Sequence, residues 1–179
     1  TKAPLALVVN AASPWKRLGD LVVEARQKPG ALNYATFGAG SGPHLAGALL
    51  ETATEIRLQG VPYKGSALAT ASVLGGETSV AFTNPIGSLP HIKADGKFKA
   101  LATTWNRRMS VAPELSTAAE QGYPQVQIAH WAGVHAPAGV PADIMDRMAA
   151  AVDAAEALAQ GDLSRTLDQS RRDEIGVLM

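Results

Sequence analysis

The fold is indicated first by the stretch Tyr34-Ala35-Thr36-Phe37-Gly38-Ala39-Gly40-Ser41-Gly42-Pro43-His44-Leu45. Residues 32–37 form a short apolar run that predicts a strand, and residues 38–42 form a glycine-rich turn. Residues 43–54 place apolar side chains at helical spacing. The stretch therefore predicts a strand, a tight turn and a helix, the repeating unit of an α/β protein.

Strand-like and helix-like segments alternate outward from this unit. Strand-like or extended segments occupy residues 5–9, 56–63, 79–83, 98–103 and 126–135. A helix should begin at Ser13-Pro14, because serine is a good N-cap and proline suits the first helical position. Further helices are expected at 66–74, 85–94, 116–121, 141–159 and near 163–170. The alternation predicts a three-layer α/β domain with a central, mainly parallel sheet covered by helices on both faces.

Composition excludes several classes of function. The chain has 179 residues, enough for one domain or for one domain and part of a second. It carries 16 basic and 16 acidic residues, so no excess charge draws it to nucleic acid. It has no cysteine, which removes disulfides, thiolate metal sites and a cysteine nucleophile. No apolar run approaches the ~20 residues of a membrane span.

The glycine-rich turn carries the strongest functional signal. Small residues let the backbone approach a ligand closely, and the helix start supplies free N–H groups and the positive end of a dipole. Ser41 could cap the helix or donate to a carboxylate. In an open α/β sheet, ligands bind at the carboxyl ends of strands, where this turn lies. The turn therefore predicts a site for an anion, although a tight turn with a capping serine also accounts for it.

Two further strand ends repeat this arrangement. Gly65 and Ser66 follow one predicted strand, and Asn84 follows another and precedes a proline that begins a helix. All these positions should converge on one face of the domain. The predicted ligand-binding residues are Thr36, Phe37, Gly38, Ala39, Gly40, Ser41, His44, Gly65, Ser66 and Asn84.

No catalytic, metal or cofactor motif is found. The third glycine of a dinucleotide-binding fingerprint is replaced by Pro43, and no acidic residue ends the next strand. The four histidines do not cluster at metal-ligand spacing, and a nucleophile elbow is absent. We expect no enzyme, metal or cofactor, although an α/β enzyme acting on a small organic acid is the alternative.

Several motifs together resemble one family of receptors. The most specific are Val61-Pro62-Tyr63-Lys64-Gly65-Ser66 and Leu89-Pro90-His91-Ile92-Lys93, joined by blocks at 28–34, 38–45, 112–123 and 136–141. They resemble the receptor family of tripartite tricarboxylate transporters, the Bug-type periplasmic solute-binding proteins. The resemblance covers residues 4 to 155.

The resemblance implies a two-domain, type II periplasmic-binding-protein clamshell that traps a small carboxylate for membrane transporter subunits. Residues 5–130 would form ligand-binding domain two. Residues 131–179 would be a helical remnant of domain one, whose N-terminal part is absent. A degenerate fragment that binds no ligand is a further alternative. The apolar stripe of the 141–159 helix would lack its usual partner, so it should pack on another copy of the chain, fold back or be mobile.

Overall fold

The computed structural model describes residues 2–93, 96–110, 112–131 and 133–159. The chain divides into two compact units. The first comprises Lys2–Trp131, and the second comprises Ala132–Met179 with Thr1.

The first unit alternates strands and helices. Its elements are β1 (Lys2–Pro4), β2 (Ala6–Asn10), α1 (Leu18–Gln27), β3 (Asn33–Thr36), α2 (Gly42–Thr54), β4 (Gln59–Pro62), α3 (Ser66–Leu74), β5 (Val80–Thr83), α4 (Pro85–Lys93), β6 (Phe98–Thr103) and β7 (Ala129–Trp131). The α/β prediction is confirmed.

The five-stranded sheet has the order β4-β3-β5-β2-β6. β3 pairs in parallel with β4 and β5, whereas β2 pairs antiparallel with β5 and β6. Four strands therefore run one way and β2 runs the other way between two of them. The sheet is mixed, with two parallel and two antiparallel pairings, where the sequence predicted a mainly parallel one. The alternation of strands and helices does not determine whether neighbouring strands are parallel, because a helix can connect two strands of either relative direction.

This topology places several loops at one edge of the sheet. We call this edge of the sheet the carboxyl edge. It contains the carboxyl ends of β3, β4, β5 and β6 and the amino end of β2. Ala6, the first residue of β2, lies opposite Thr83 on one side and Thr103 on the other. β1 leads directly into β2 through Leu5 and pairs with β7, so this two-stranded ladder continues from the same edge.

Helices cover both faces of the sheet. Along β2, Leu7 and Val9 pack into one core, and Ala6 and Val8 pack into the other. The first core takes apolar residues of α1 and α2, and the second takes those of α3. Burial of each large apolar side chain contributes roughly 1.5–3 kcal/mol. The two cores therefore fix the helices, and with them the loops of the carboxyl edge.

Two predicted helix positions are wrong. α1 begins at Leu18 rather than at Ser13-Pro14, because the Asp20 carboxylate accepts the backbone N–H groups of Lys16 and Arg17 and so caps a later start. Residues 116–121 form no helix: Thr117 makes an isolated parallel bridge with Thr103, and residues 118–121 form turns. Backbone groups there bond to β6 instead: the N–H of Ala118 donates to the carbonyl of Thr103.

The described part of the second unit contains one long helix, α5 (Ala142–Ala159). Ile144 and Met145, part of its predicted apolar stripe, are each 41% exposed, whereas Ala154 is buried. The helix expected near residues 163–170 lies outside the described residues. None of the described helices is long and apolar enough to cross a membrane.

Candidate functional site

Three strand-to-helix junctions lie side by side at the carboxyl edge. β4, β3 and β5 are neighbours in the sheet, and each leads directly into a helix that begins there: α3, α2 and α4 respectively. Every predicted ligand-binding residue lies in one of these junctions. The junction between β4 and α3 holds Gly65 and Ser66, and the junction between β5 and α4 holds Asn84. The junction between β3 and α2 holds the rest, namely Thr36, Phe37, Gly38, Ala39, Gly40, Ser41 and His44.

The loop after β3 is organised by Ser41. Its hydroxyl donates to the carbonyl of Gly38 at 2.7 Å and accepts the backbone N–H of Phe37 at 3.3 Å. The N–H of Gly38 donates to the hydroxyl of Thr36 at 3.2 Å. Ser41 makes no side-chain cap to α2, although it occupies the N-cap position. Its hydroxyl therefore shapes the loop and leaves the first turn of α2 uncapped.

Open donors remain at the start of α2. The backbone N–H of Gly40 donates to the His44 Nδ1 atom at 3.4 Å, which places the proton of a neutral ring on Nε2. The N–H groups of Ala39, Gly42 and His44 have no acceptor in the part of the chain that the structure describes. Gly40 has a φ of 78°, in the region that favours glycine. The turn thus presents several N–H groups without acceptors among the described residues.

The other two helix starts carry exposed residues. α3 follows Gly65, which has a φ of 103° and no side chain to cap the helix. Ser66, the first residue of α3, is exposed. α4 follows Asn84, which is exposed and whose carbonyl accepts the N–H of Ser88. Together the three junctions direct three positive helix ends toward the carboxyl edge.

The charge pattern of the carboxyl edge favours an anion. None of α2, α3 and α4 has an acidic residue in its first turn. By contrast, α1 begins at the opposite edge and carries Asp20, whose carboxylate accepts the N–H of Lys16; this bond chiefly lowers the pKa of Asp20. The segments after β3 to β6, namely 37–41, 63–65, 84 and 104–108, contain no Asp or Glu. Their basic residues are Lys64, Arg107 and Arg108, and Arg108 pairs with Glu120 at 3.0 Å.

Two residues outside the predicted set also lie at this edge. Thr83, at the end of β5, is only 4% exposed, and its hydroxyl has no partner among the described residues. His130, on β7, places its Nδ1 atom 3.2 Å from where a Cβ at Gly42 would lie. Thr83 was next to the predicted Asn84 and could have been noticed. His130 could not, because only the pairing of β1 with β7 brings it to the turn.

The described residues offer no metal site, and the groove along α1 does not favour an anion. Among them, no three or more His, Asp or Glu side chains are grouped to hold a metal ion. An open groove of ≈ 490 Å³ runs along α1, but Asp20 and Glu24 line it together with Lys28. Carboxylates in that groove would repel an anionic ligand.

Comparison with known proteins identifies the family and the fold. Residues 1–170 match the family described as "Tripartite tricarboxylate transporter family receptor". The chain is 34% identical to Rpa4515 of R. palustris, solved with adipate, over 82% of this chain and 49% of that one, with a TM-score of 0.78. It is 29% identical to MatC (Rpa3494) from Rhodopseudomonas palustris, solved with bound malate, over 87% of this chain and 52% of that one, with a TM-score of 0.79.

The periplasmic binding protein BugD is similar too, at 28% identity over 82% of this chain and 49% of that one, with a TM-score of 0.76. The chain spans about half the length of the first curated relatives it matches. The family is one of transporter receptors rather than enzymes, and its match covers most of the sequence. The chain belongs to the tripartite tricarboxylate transporter receptor family.

Proposed function

We propose that this chain forms one wall of a periplasmic receptor that captures a small carboxylate for a tripartite tricarboxylate transporter. In this proposal residues 5–130 are the ligand-binding domain two, and residues 131–179 are part of domain one. The receptor delivers its ligand to the membrane subunits of the transporter. Because one relative is solved with adipate and another with malate, dicarboxylates are the first ligands to test.

The observation that carries the proposal is the meeting of three acid-free helix starts at the carboxyl edge. A carboxylate there would accept the open N–H groups of Ala39, Gly42 and His44. A hydrogen bond to a charged group contributes about 1.5–3 kcal/mol, and a helix end adds about 0.3–1 kcal/mol. Lys64 and Arg107 would help to attract the anion to this edge.

The hydrogen bonds of the turn support capture rather than catalysis. A serine nucleophile needs a histidine that accepts its proton. Here the Ser41 hydroxyl donates to the Gly38 carbonyl, while His44 Nδ1 accepts the N–H of Gly40. Both groups hold the loop in shape and neither activates the other. This separation argues against the alternative of an enzyme acting on a small organic acid.

One wall should bind weakly. A clamshell receptor surrounds its ligand with two walls, and a single wall leaves the carboxylate exposed to water, which weakens its hydrogen bonds. We therefore expect the 179-residue chain to bind a dicarboxylate with a dissociation constant of about 1 mM, which corresponds to roughly −4 kcal/mol.

Calorimetry with adipate, malate and citrate tests the proposal, with adipamide as the uncharged control. Weak binding of the carboxylates and none of adipamide is expected. A dissociation constant of about 1 μM or lower would contradict the single-wall argument. No heat from any carboxylate at high concentration would contradict capture by this chain and favour the alternative of a non-binding fragment.

A further inference from the structure

Gly42 lies close against His130 and Leu5. Its φ is not in the left-handed region, unlike the φ of Gly38 and Gly40, so its backbone conformation does not require glycine. A Cβ at this position would lie 3.2 Å from His130 Nδ1 and 3.7 Å from Leu5 Cδ1. A side chain at this position would therefore crowd the His130 imidazole of β7 and contact Leu5, the residue that joins β1 to β2.

This packing puts an available imidazole beside the open donors of α2. His130 is exposed, and its ring has no hydrogen-bond partner in the part of the chain that the structure describes. The N–H groups of Gly42 and His44 are open at the same helix start. The two histidines differ, because His44 Nδ1 is already engaged with the N–H of Gly40. His130 is thus the ring that is free to bond a ligand here.

We infer that His130 contacts the ligand and donates a ring N–H to the carboxylate bound at the start of α2. A carboxylate has two oxygens with about four lone-pair sites, more than the helix start alone engages. One oxygen accepts hydrogen bonds from the backbone N–H groups of α2, and the other accepts a hydrogen bond from the imidazole N–H of His130. The inference rests on the proposed function, and it adds a residue from β7 to a site otherwise built from strand-to-helix loops.

The test compares His130→Ala with His130→Gln in the 179-residue chain. Loss of one charge-assisted hydrogen bond should weaken adipate or malate binding about tenfold, since 1.4 kcal/mol is a factor of ten. Glutamine keeps an N–H donor and should recover most of the affinity. The urea midpoint should change little in both variants, because the ring is exposed and makes no hydrogen bond with the described residues of the free protein. A purely structural histidine would move that midpoint instead.

A second readout follows the rings directly. In an NMR titration with adipate, the His130 ring signals should shift, and their shifts should saturate at the same adipate concentration as those of the backbone amides of α2. The His91 ring, which packs edge-on against Phe98, serves as the unaffected reference. If the amides shift but the His130 ring does not, and His130→Ala binds normally, the inference is wrong while the proposed function stands. If no signal shifts, both are wrong.

Discussion

Replacing Ser66 by aspartate should stabilise the fold and weaken carboxylate binding at the same time. Ser66 is exposed at the first position of α3, and its hydroxyl makes no hydrogen bond with the described residues. The substitution therefore breaks no contact. An aspartate at a helix start interacts favourably with the positive end of the dipole, and the free energy of unfolding should rise by about 0.3–1 kcal/mol.

The effect on binding has the opposite sign. Two unit charges about 6 Å apart repel by roughly 0.7 kcal/mol in water and by roughly 2.8 kcal/mol at an effective dielectric constant of about 20. Position 66 is exposed, so a value of about 1.4 kcal/mol between these limits is appropriate, and affinity for a dicarboxylate should fall about tenfold. The loss should shrink in about 1 M salt, where the screening length is about 3 Å.

Urea unfolding and an NMR titration with adipate measure the two effects in one protein. Ser66→Asn has a side chain of the same size as aspartate but without the charge, and it should bind adipate like the unmodified chain. Thr52→Asp adds the same charge at an exposed position in the last turn of α2, at the opposite edge, and should not alter affinity. If Ser66→Asp gained stability and bound adipate as well as Ser66→Asn does, the carboxyl edge would not be the binding site.

Three more predictions concern stability. Gly47→Ala should lower the free energy of unfolding by about 1–3 kcal/mol, because its Cβ would lie 2.3 Å from ring carbons of Tyr34; an unchanged urea midpoint would contradict this packing. Thr83→Val should raise the free energy of unfolding by about 1 kcal/mol, because it removes a buried hydroxyl without a partner; thermal melts that show destabilisation would contradict this. Asp20→Asn should destabilise the protein at neutral pH, because the N–H of Lys16 lowers the pKa of Asp20 in the folded state. The stabilisation by the Asp20 carboxylate is present above the pKa of the unfolded chain and is lost as pH falls through the pKa of the folded protein, so the effect of the substitution should disappear at low pH. A difference in urea midpoints that does not depend on pH would contradict this.

Local sequence patterns were enough to predict most elements of the first unit. α3 and β6 begin and end at the predicted residues, and α2 begins one residue earlier than predicted. The order of strand, glycine turn and helix also predicted which positions meet at the carboxyl edge. These features depend on residues close together in the chain, such as the turn between β3 and α2.

Long-range pairing was beyond the sequence pattern. The direction of β2 depends on its two neighbours, β5 and β6, which come 70 or more residues later. The pairing of β1 with β7, and with it the position of His130 against Gly42, likewise needs the folded chain. At Ser13-Pro14 the local signal was misleading, because the capping carboxylate of Asp20 fixes a later start. The ligand-binding role of the ten candidate residues stays a prediction.

A backbone NMR titration of the 179-residue chain with adipate tests the central claim most directly. The account predicts that the amide signals of Ala39, Gly42, His44 and Ser66 shift most, saturate together at about millimolar concentration, and do not respond to adipamide. Shifts confined to the groove along α1, equal shifts with adipamide, or no shift at any adipate concentration would contradict carboxylate capture at the carboxyl edge.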